Sequence, residues 1–207
     1  MWDEGTIRVQ GHGEVRVAPD EAYLILGVHR IDASAQAAVE SNSEAVQSVL
    51  DALKAAGLPD DAILLSQFNI FSSQPENTYT VSNQISMRLS DVRSVGQILG
   101  IAIHAGANVT GGITFGLMDS SEAEADALRR AVDDARSRAE TLAIELGVVL
   151  GDVVSVNAAL PNPNVHAPSF GRRAARSMAA PAEVPIAGGE ITIPADVEVV
   201  YELRLND

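Results

Sequence analysis

The 207-residue sequence predicts an α+β fold, in which helices pack on one face of a mostly antiparallel sheet. Three observations predict this class. Several segments alternate strictly between apolar and polar residues, which indicates strands of an antiparallel sheet with one polar face. Segments with apolar residues at helical spacing lie between them. Each of these helical segments ends at a glycine, Gly57, Gly106 or Gly147, before the next strand. The predicted order is ββαββαβαββ.

The first strand contains the stretch 11–20, which at first sight resembles a phosphate-binding glycine loop. The dinucleotide fingerprint requires a third glycine where a helix begins, but Arg16 holds that place and the strand continues. Because side chains alternate between the faces of a strand, Gly11 and Gly13 lie on the apolar face. Two inward positions without a Cβ predict the close approach of a helix, or a bulge. The apolar face comprises Ile7, Val9, Gly11, Gly13, Val15 and Val17, and the polar face Arg8, Gln10, His12, Glu14 and Arg16.

The other elements follow from the same two periodicities. The Pro19-Asp20 turn predicts that the second strand pairs with the first as a hairpin. Ser121 and Glu124 have the spacing of a capping box, which predicts the start of the third helix. The remaining predicted strands are 21–31, 62–71, 79–89, 108–118, 148–157 and 190–205, and the helices are 34–56, a segment ending before Gly106, and a segment ending before Gly147.

The third helix is predicted to bury an apolar stripe and to expose a charged face. Its charged residues include the pairs Asp126 with Arg130 and Asp134 with Arg138, at i,i+4 spacing. Such pairs stabilise a helix by roughly a few tenths of a kcal/mol each, and we interpret them as solvation of the helix. The stripe expected to be buried comprises Leu128, Val132, Ala135, Ala139, Leu142 and Leu146.

Length and hydrophobic content fit a single domain over 1–207, with two small domains sharing a sheet as the alternative. Residues 161–185 contain five prolines and many small residues, which predicts a mobile Pro/Ala/Arg-rich loop. This loop holds a cluster of positive charge, Arg172, Arg173 and Arg176. We favour a linker without a role of its own, and an electrostatic tether to an acidic neighbouring subunit is the alternative.

Composition excludes several classes of function. A net charge of −14 opposes binding to nucleic acid or to anionic lipid, since both are polyanions. The sequence contains no cysteine, so disulfides and thiolate chemistry are excluded. Aromatic residues make up 4% of the chain and the helices are rich in alanine, which disfavours a deep apolar pocket. No apolar run reaches membrane-spanning length, so we predict no membrane insertion.

The polar face of the predicted hairpin holds the one arguable site. In a hairpin, His12 and His29 would be diagonal neighbours, and together with Glu14 they could hold zinc. Arg16 on the same face disfavours a cation. The chain also lacks the G-x-S-x-G and H-E-x-x-H patterns of hydrolases. We therefore predict no catalytic, metal or cofactor-binding residues, and the alternative is a small-ligand or metal-binding protein or enzyme that uses the face around His12, Glu14 and His29.

A series of short motifs runs along almost the whole chain. It begins with Ile7-x-Val9-x-Gly11-x-Gly13-Glu14-Val15-x-Val17-x-Pro19-Asp20-x-Ala22. It continues through Asn42 in the first helix, Ala105-Gly106-Ala107-Asn108, Gly147-Val148-x-Leu150-Gly151, and Pro185-Ile186 before Gly189-Glu190. In the order and spacing of these motifs the chain resembles the SIMPL-domain family.

The resemblance implies a bacterial protein of a family that has no accepted catalytic residues, cofactor or substrate. The family includes periplasmic immunogenic proteins; its members are often associated with the cell envelope and with stress responses, and some form large homo-oligomers. We therefore expect a non-enzymatic assembly or binding module that forms homo-oligomers through its polar sheet face or an exposed edge. The start at Met1 predicts a cytoplasmic protein if the chain is full length as written, and a periplasmic or envelope protein if a leader has been removed.

Overall fold

The structure is a computed structural model that describes residues 5–73, 76–159 and 189–205. Within these residues it contains helices, antiparallel strands and two 3₁₀ turns, which confirms the predicted α+β class. The helices are α1 (Ala35–Ala55), α2 (Val95–His104) and α3 (Ser121–Leu146). The strands are β1 (Gly5–Val17), β2 (Glu21–Asp32), β3 (Ile63–Ser73), β4 (Thr78–Leu89), β5 (Val109–Gly116), β6 (Val148–Ala159) and β7 (Ile191–Leu205).

The strands form two antiparallel sheets. Sheet A has the strand order β1-β7-β6, and sheet B has the order β3-β4-β2-β5. The described residues divide into two compact units. Unit A contains sheet A and α3, and unit B contains sheet B, α1 and α2. The single domain over 1–207 stays a prediction, and the loop 161–185 with Arg172, Arg173 and Arg176 lies outside the described residues.

The predicted hairpin between the first two strands is wrong. β1 pairs with β7, whereas β2 pairs with β4 and β5. The cause lies in the turn that was expected to close the hairpin. The backbone N–H of Asp20 donates to the carbonyl oxygen of Gly116 at 3.1 Å, and the carboxylate of Asp20 accepts from the N–H of Met118 at 2.7 Å. These bonds tie the start of β2 to the end of β5.

The close approach of a helix at Gly11 and Gly13 is confirmed. A Cβ added to Gly11 would lie 2.0 Å from the carbonyl oxygen of Ala131, and one added to Gly13 would lie 2.1 Å from that of Ala127. The backbone of α3 therefore rests directly against the backbone of β1. The two backbones can approach this closely only because glycines of β1 face small side chains of α3.

The buried stripe predicted for the third helix is largely wrong. Val132, Leu142 and Leu146 are exposed, although Ala135 and Ala139 are buried as expected. A leucine on the sheet side would hold the helix away from Gly11 and Gly13. The helix instead buries alanines at every fourth position, which are Ala123, Ala127, Ala131, Ala135, Ala139 and Ala143.

In unit B, α1 and α2 pack over one face of sheet B and enclose an apolar core. One polar side chain, Asn42 of α1, is fully buried within unit B. Its amide nitrogen donates to the carbonyl oxygens of Val28 at 2.9 Å and Val81 at 3.3 Å. Its amide oxygen accepts from the side chain of Asn83 at 2.5 Å. Asn42 is thus satisfied by both central strands, and it fixes α1 on β2 and β4.

Candidate functional site

The three residues of the predicted polar site lie on two different sheets. His12 and Glu14 lie on β1 in sheet A, whereas His29 lies on β2 in sheet B. The diagonal His12–His29 pair required the hairpin, so that part of the metal hypothesis is wrong. In the part of the chain that the structure describes, no group of three or more His, Cys, Asp or Glu side chains is arranged to hold a metal ion.

The polar residues of β1 bond to their neighbours instead. His12 contacts Asp196, which stands opposite it on β7, and Glu14 accepts from Arg16 at 3.0 Å. His12 and Asp196 line a shallow cleft of about 300 Å³ on sheet A. These side chains form exposed cross-strand and local pairs, which contribute little to stability.

The remaining histidines of the chain lie beside local hydrogen-bond partners or outside the described residues. At His29, the side chain of Asn108 accepts from the backbone N–H at 2.7 Å and donates to the carbonyl oxygen at 2.8 Å. His104 bonds the carbonyl oxygen of Gly100 at 2.8 Å near the end of α2. His166 lies outside the described residues.

The free edge of β1 is covered by three charged side chains of α3, which we call the edge clamp: Arg130, Asp134 and Arg138. Arg130 donates to the carbonyl oxygen of Glu14 at 2.8 Å. Arg138 donates to that of Gln10 at 3.1 Å. Between them, Asp134 accepts from the N–H of His12 at 2.8 Å. The expected solvation role is therefore wrong for these residues, because they supply the hydrogen bonds that a neighbouring strand would make.

The electrostatics of the edge clamp centre on Asp134. Donation from the N–H of His12 lowers the pKa of this carboxyl below its usual value, and Arg138 acts in the same direction. Partial burial opposes the shift but is the smaller effect. The expected pairing of Asp134 with Arg138 is confirmed at 3.0 Å, whereas Asp126 pairs with Arg129 rather than with Arg130. Asp134 is therefore held in its ionised form.

Sheet B has a different edge. β3 is its outermost strand and pairs with β4. Five large apolar side chains of β3 are exposed by 45% to 64%. We call them the β3 apolar surface: Leu64, Leu65, Phe68, Ile70 and Phe71. The eleven residues of β3 include no Asp, Glu, Lys or Arg, whereas charged residues make up 20% of the chain.

Both faces of β3 are exposed because the helix layer ends short of it. Phe68 and Ile70 stand opposite Asn83 and Val81, so they point to the face on which α1 lies. α1 packs on β2 and β4, and both side chains remain about half exposed. On the other face, Leu64 stands opposite Ser86, and Phe71 stands opposite Thr80. Edge strands of this length normally carry charge, which prevents pairing with another chain.

The sequence contained signals for both features. The edge clamp residues recur at i, i+4 and i+8, beside the alanines that face β1, and this shared spacing marks one line along the helix. The segment 62–71 has apolar residues on both parities and no charge, which alternation alone does not explain. Neither signal shows what these residues contact, because the contacts depend on strand order and on where the helices end.

No helix of the described residues has the length and apolar character that crossing a lipid bilayer requires. The SIMPL family, described as "Protein of unknown function (DUF541)", matches residues 7–201. The chain is 34% identical to the "26 kDa periplasmic immunogenic protein" of Brucella melitensis biotype 1, over 96% of this chain and 84% of the relative. It is 33% identical to the protein of the same name from Brucella abortus, with the same coverage. The chain therefore belongs to the SIMPL family.

Proposed function

We propose that this protein is a non-enzymatic module that assembles with copies of itself through β3. The observation that carries this proposal is the β3 apolar surface, an uncharged edge strand with large apolar side chains exposed on both faces. A second copy placed against β3 would pair its free backbone groups and cover these side chains.

Charge favours a second copy at this strand in particular. With a net charge of −14 on each chain, two copies repel each other wherever charged surfaces meet. β3 itself has no ionisable side chain, so pairing two β3 strands brings no like charges of these strands together. Covering the exposed parts of five Leu, Ile and Phe side chains contributes on the order of 5 kcal/mol in each copy, which is offset in part by the cost of association.

The other long edge strands are less suited to this contact. β1 is covered by the edge clamp. β6 exposes Val153, Val154 and Val156, but its pairing with β7 shifts register at two places, whereas that of β3 with β4 shifts at one, and such irregularities discourage edge pairing. Asp152 also lies within β6. β3 thus supports self-association better than β1 or β6.

The test compares the association state of the full chain with that of two variants. Phe68→Glu places a like charge on each copy at the contact and is expected to yield a monomer. Ile144→Glu on α3 is the matched control, because Ile144 is 75% exposed and belongs to unit A, whereas β3 belongs to unit B. Light scattering with size exclusion at micromolar concentrations should show an oligomer for the wild type and the control. A wild type that is monomeric throughout, or a control that also dissociates, would contradict the proposal.

The two relatives named as periplasmic proteins support a place in the cell envelope. We propose the periplasm as the compartment, and a link to stress responses as the process that the family resemblance favours. Fractionation of the native cell with an antibody against the chain tests the first part. Recovery with the periplasmic fraction is expected, and recovery with cytoplasmic markers would contradict it.

A further inference from the structure

We propose that the face of sheet B opposite α1 and α2 binds one ring of an uncharged carbohydrate. The site is a depression that crosses all four strands of the sheet and encloses a cavity of about 130 Å³. We call it the neutral trough, and the residues that line it include Gly27, Gln67, Asn69, Ser82, Gln84 and Val109.

The strand register brings these residues side by side. Gln84 of β4 stands opposite Gln67 of β3 on one side and opposite Gly27 of β2 on the other. Gly27 in turn stands opposite Val109 of β5. The buried neighbours Leu26 and Val28 belong to the helix-covered core, so residue 27 faces away from the helices.

Gly27 forms the floor of the neutral trough. A Cβ at this position would lie 3.0 Å from the carbonyl oxygen of Asn83 and 3.2 Å from the Cβ of Val109. A larger residue would therefore fill the depression that the glycine leaves. The absence of a side chain in the middle of a four-stranded sheet creates room between Gln84 and Val109, which stand on either side of Gly27.

The chemistry of the lining is unusual for this chain. None of the residues that line the cavity is charged, although the chain carries 42 Lys, Arg, Asp and Glu residues, the sum of 14 basic and 28 acidic ones. Within the described residues, the side chains of Gln67, Asn69, Ser82 and Gln84 make no hydrogen bond to the protein. Ser82 and Gln84 are moreover only partly exposed. The donors and acceptors of these four side chains are therefore available to a ligand.

This set of groups matches a sugar ring. Each amide side chain offers two donors and an acceptor, and the serine hydroxyl offers both, so together they can bond neighbouring hydroxyls of a pyranose. Val109 and Ile25 supply apolar contact for its C–H groups. A charged ligand would find no counter-charge here. The cavity is smaller than the roughly 300–1,000 Å³ of drug-sized sites, which limits the occupant to about one ring.

The test uses ligand-observed saturation-transfer NMR on the full chain, which works whether the protein is a monomer or an oligomer. The probes are maltose, cellobiose, lactose and N,N′-diacetylchitobiose, with glucuronate as a charged sugar and triglycine as a neutral peptide. We expect saturable transfer to the protons of one ring of at least one disaccharide, and none to glucuronate or triglycine. No transfer to any disaccharide, or stronger transfer to triglycine, would overturn the proposal.

Variants locate the binding. Gln84→Leu removes the central amide and should weaken binding about tenfold or more, because the sugar then leaves a hydrogen bond unmade. Gln97→Leu on α2 is the matched control, since Gln97 is exposed on another surface of the same unit, and it should bind as the wild type does. Ser82→Ala serves as the smaller change if Gln84→Leu loses its fold by circular dichroism. Equal binding by the wild type and the folded trough variant would place the sugar elsewhere and refute the assignment.

Discussion

The carboxylate of Asp134 on α3 accepts a hydrogen bond of 2.8 Å from the backbone N–H of His12 on β1. A helix side chain thereby takes the place of a neighbouring strand at the edge of sheet A. Arg130 and Arg138, one helical turn away on either side, bond the carbonyl oxygens that flank this N–H. The chain thus covers one long edge, β1, with its own charges and leaves another, β3, without any charge. This difference favours self-association through β3 over β1, because an edge strand whose backbone groups are already hydrogen-bonded cannot readily pair with another strand.

The first prediction concerns acid. The pKa of Asp134 is lowered in the folded state by the His12 N–H and then by Arg138, so the unfolded chain binds the proton more readily. The stabilisation is complete above the unfolded value of about 3.9 and is lost as the pH falls through the lower folded value. We expect Asp134→Asn to be less stable than the wild type at pH 7, and the difference to shrink below about pH 4.

Urea unfolding followed by circular dichroism at a series of pH values measures this difference. Asp126→Asn is the control, because its carboxylate pairs with Arg129 of the same helix and belongs to no contact with β1. A pH dependence of the same size in both variants would mean that the His12 contact is not its source.

The second prediction removes both arginines of the edge clamp. Arg130→Met with Arg138→Met keeps the length of the side chains but takes away the donors to Glu14 and Gln10. We expect a loss of about 1–2 kcal/mol in the free energy of unfolding, since each hydrogen bond contributes about 0.5–1.5 kcal/mol. We also expect stronger self-association, because β1 becomes an open edge.

Arg129→Met with Arg136→Met provides the matched pair, since these arginines bond acidic residues of α3 itself. Urea unfolding and light scattering distinguish the two double variants. If both lose the same stability and associate equally, the covering of β1 is not what the edge clamp contributes.

The third prediction concerns the contact between α3 and β1. In Gly11→Ala the new Cβ would lie 2.0 Å from the carbonyl oxygen of Ala131 and 2.6 Å from the backbone nitrogen of Ala135. Backbone atoms cannot rotate away as a flexible side chain can, so helix and strand must separate. We expect a loss of about 3 kcal/mol or more in the free energy of unfolding.

The same substitution at Gly100 should have the opposite sign. Gly100 lies within α2, and a Cβ there would meet no atom within 4 Å, so Gly100→Ala is expected to stabilise by about 0.5–1 kcal/mol through helix propensity. Urea midpoints of the two variants give the comparison. Unfolding of Gly11→Ala at the wild-type midpoint would show that α3 does not approach β1 this closely.

Periodicity predicted much of this fold, and Gly11 and Gly13 show why. Strand parity put both glycines on the apolar face, and their missing side chains predicted a close helix, which is a local consequence of a local pattern. The pairing of β1 with β7 was not predictable in this way. The turn at Asp20 is hydrogen-bonded to residues 116 and 118, and the sequence near Asp20 does not indicate these distant partners.

The error at α3 and the exposure of β3 have a common physical origin. A helical pattern predicts that Leu142 and Leu146 are buried in preference to alanine, because large apolar side chains gain most free energy from burial. Here the spacing imposed by glycines on another element decides that alanine faces the sheet. Likewise, Leu64 and Phe71 are exposed because the helix layer ends before β3, and their apolar character does not show where that layer ends. Such features belong to the packing of elements that are distant in sequence.

The fourth prediction concerns the buried amide of unit B. Asn42→Leu removes the donor to the carbonyl oxygens of Val28 and Val81 and the acceptor for Asn83. Since a buried polar group left without a partner costs about 1–3 kcal/mol, we expect a loss of at least about 2 kcal/mol in the free energy of unfolding. Urea unfolding of Asn42→Leu, Asn83→Leu and the double variant forms a cycle. The double variant should lose less than the sum of the single losses by about 1 kcal/mol, and strict additivity would argue against the contact.

The fifth prediction tests which atoms meet when two copies associate. The chain contains no cysteine, so a single introduced thiol reports on its own position. A disulfide requires the two Cα atoms to lie within about 7 Å, a distance that two paired edge strands satisfy near the centre of their contact. Under mild oxidation we expect single cysteines along β3, introduced at Gln67, Phe68 and Asn69, to yield a covalent dimer. Ile144→Cys on α3 is equally accessible and should remain monomeric on a denaturing gel at the same concentration. Equal cross-linking at all four positions would indicate random collision, and cross-linking of Ile144→Cys alone would move the contact from β3 to α3.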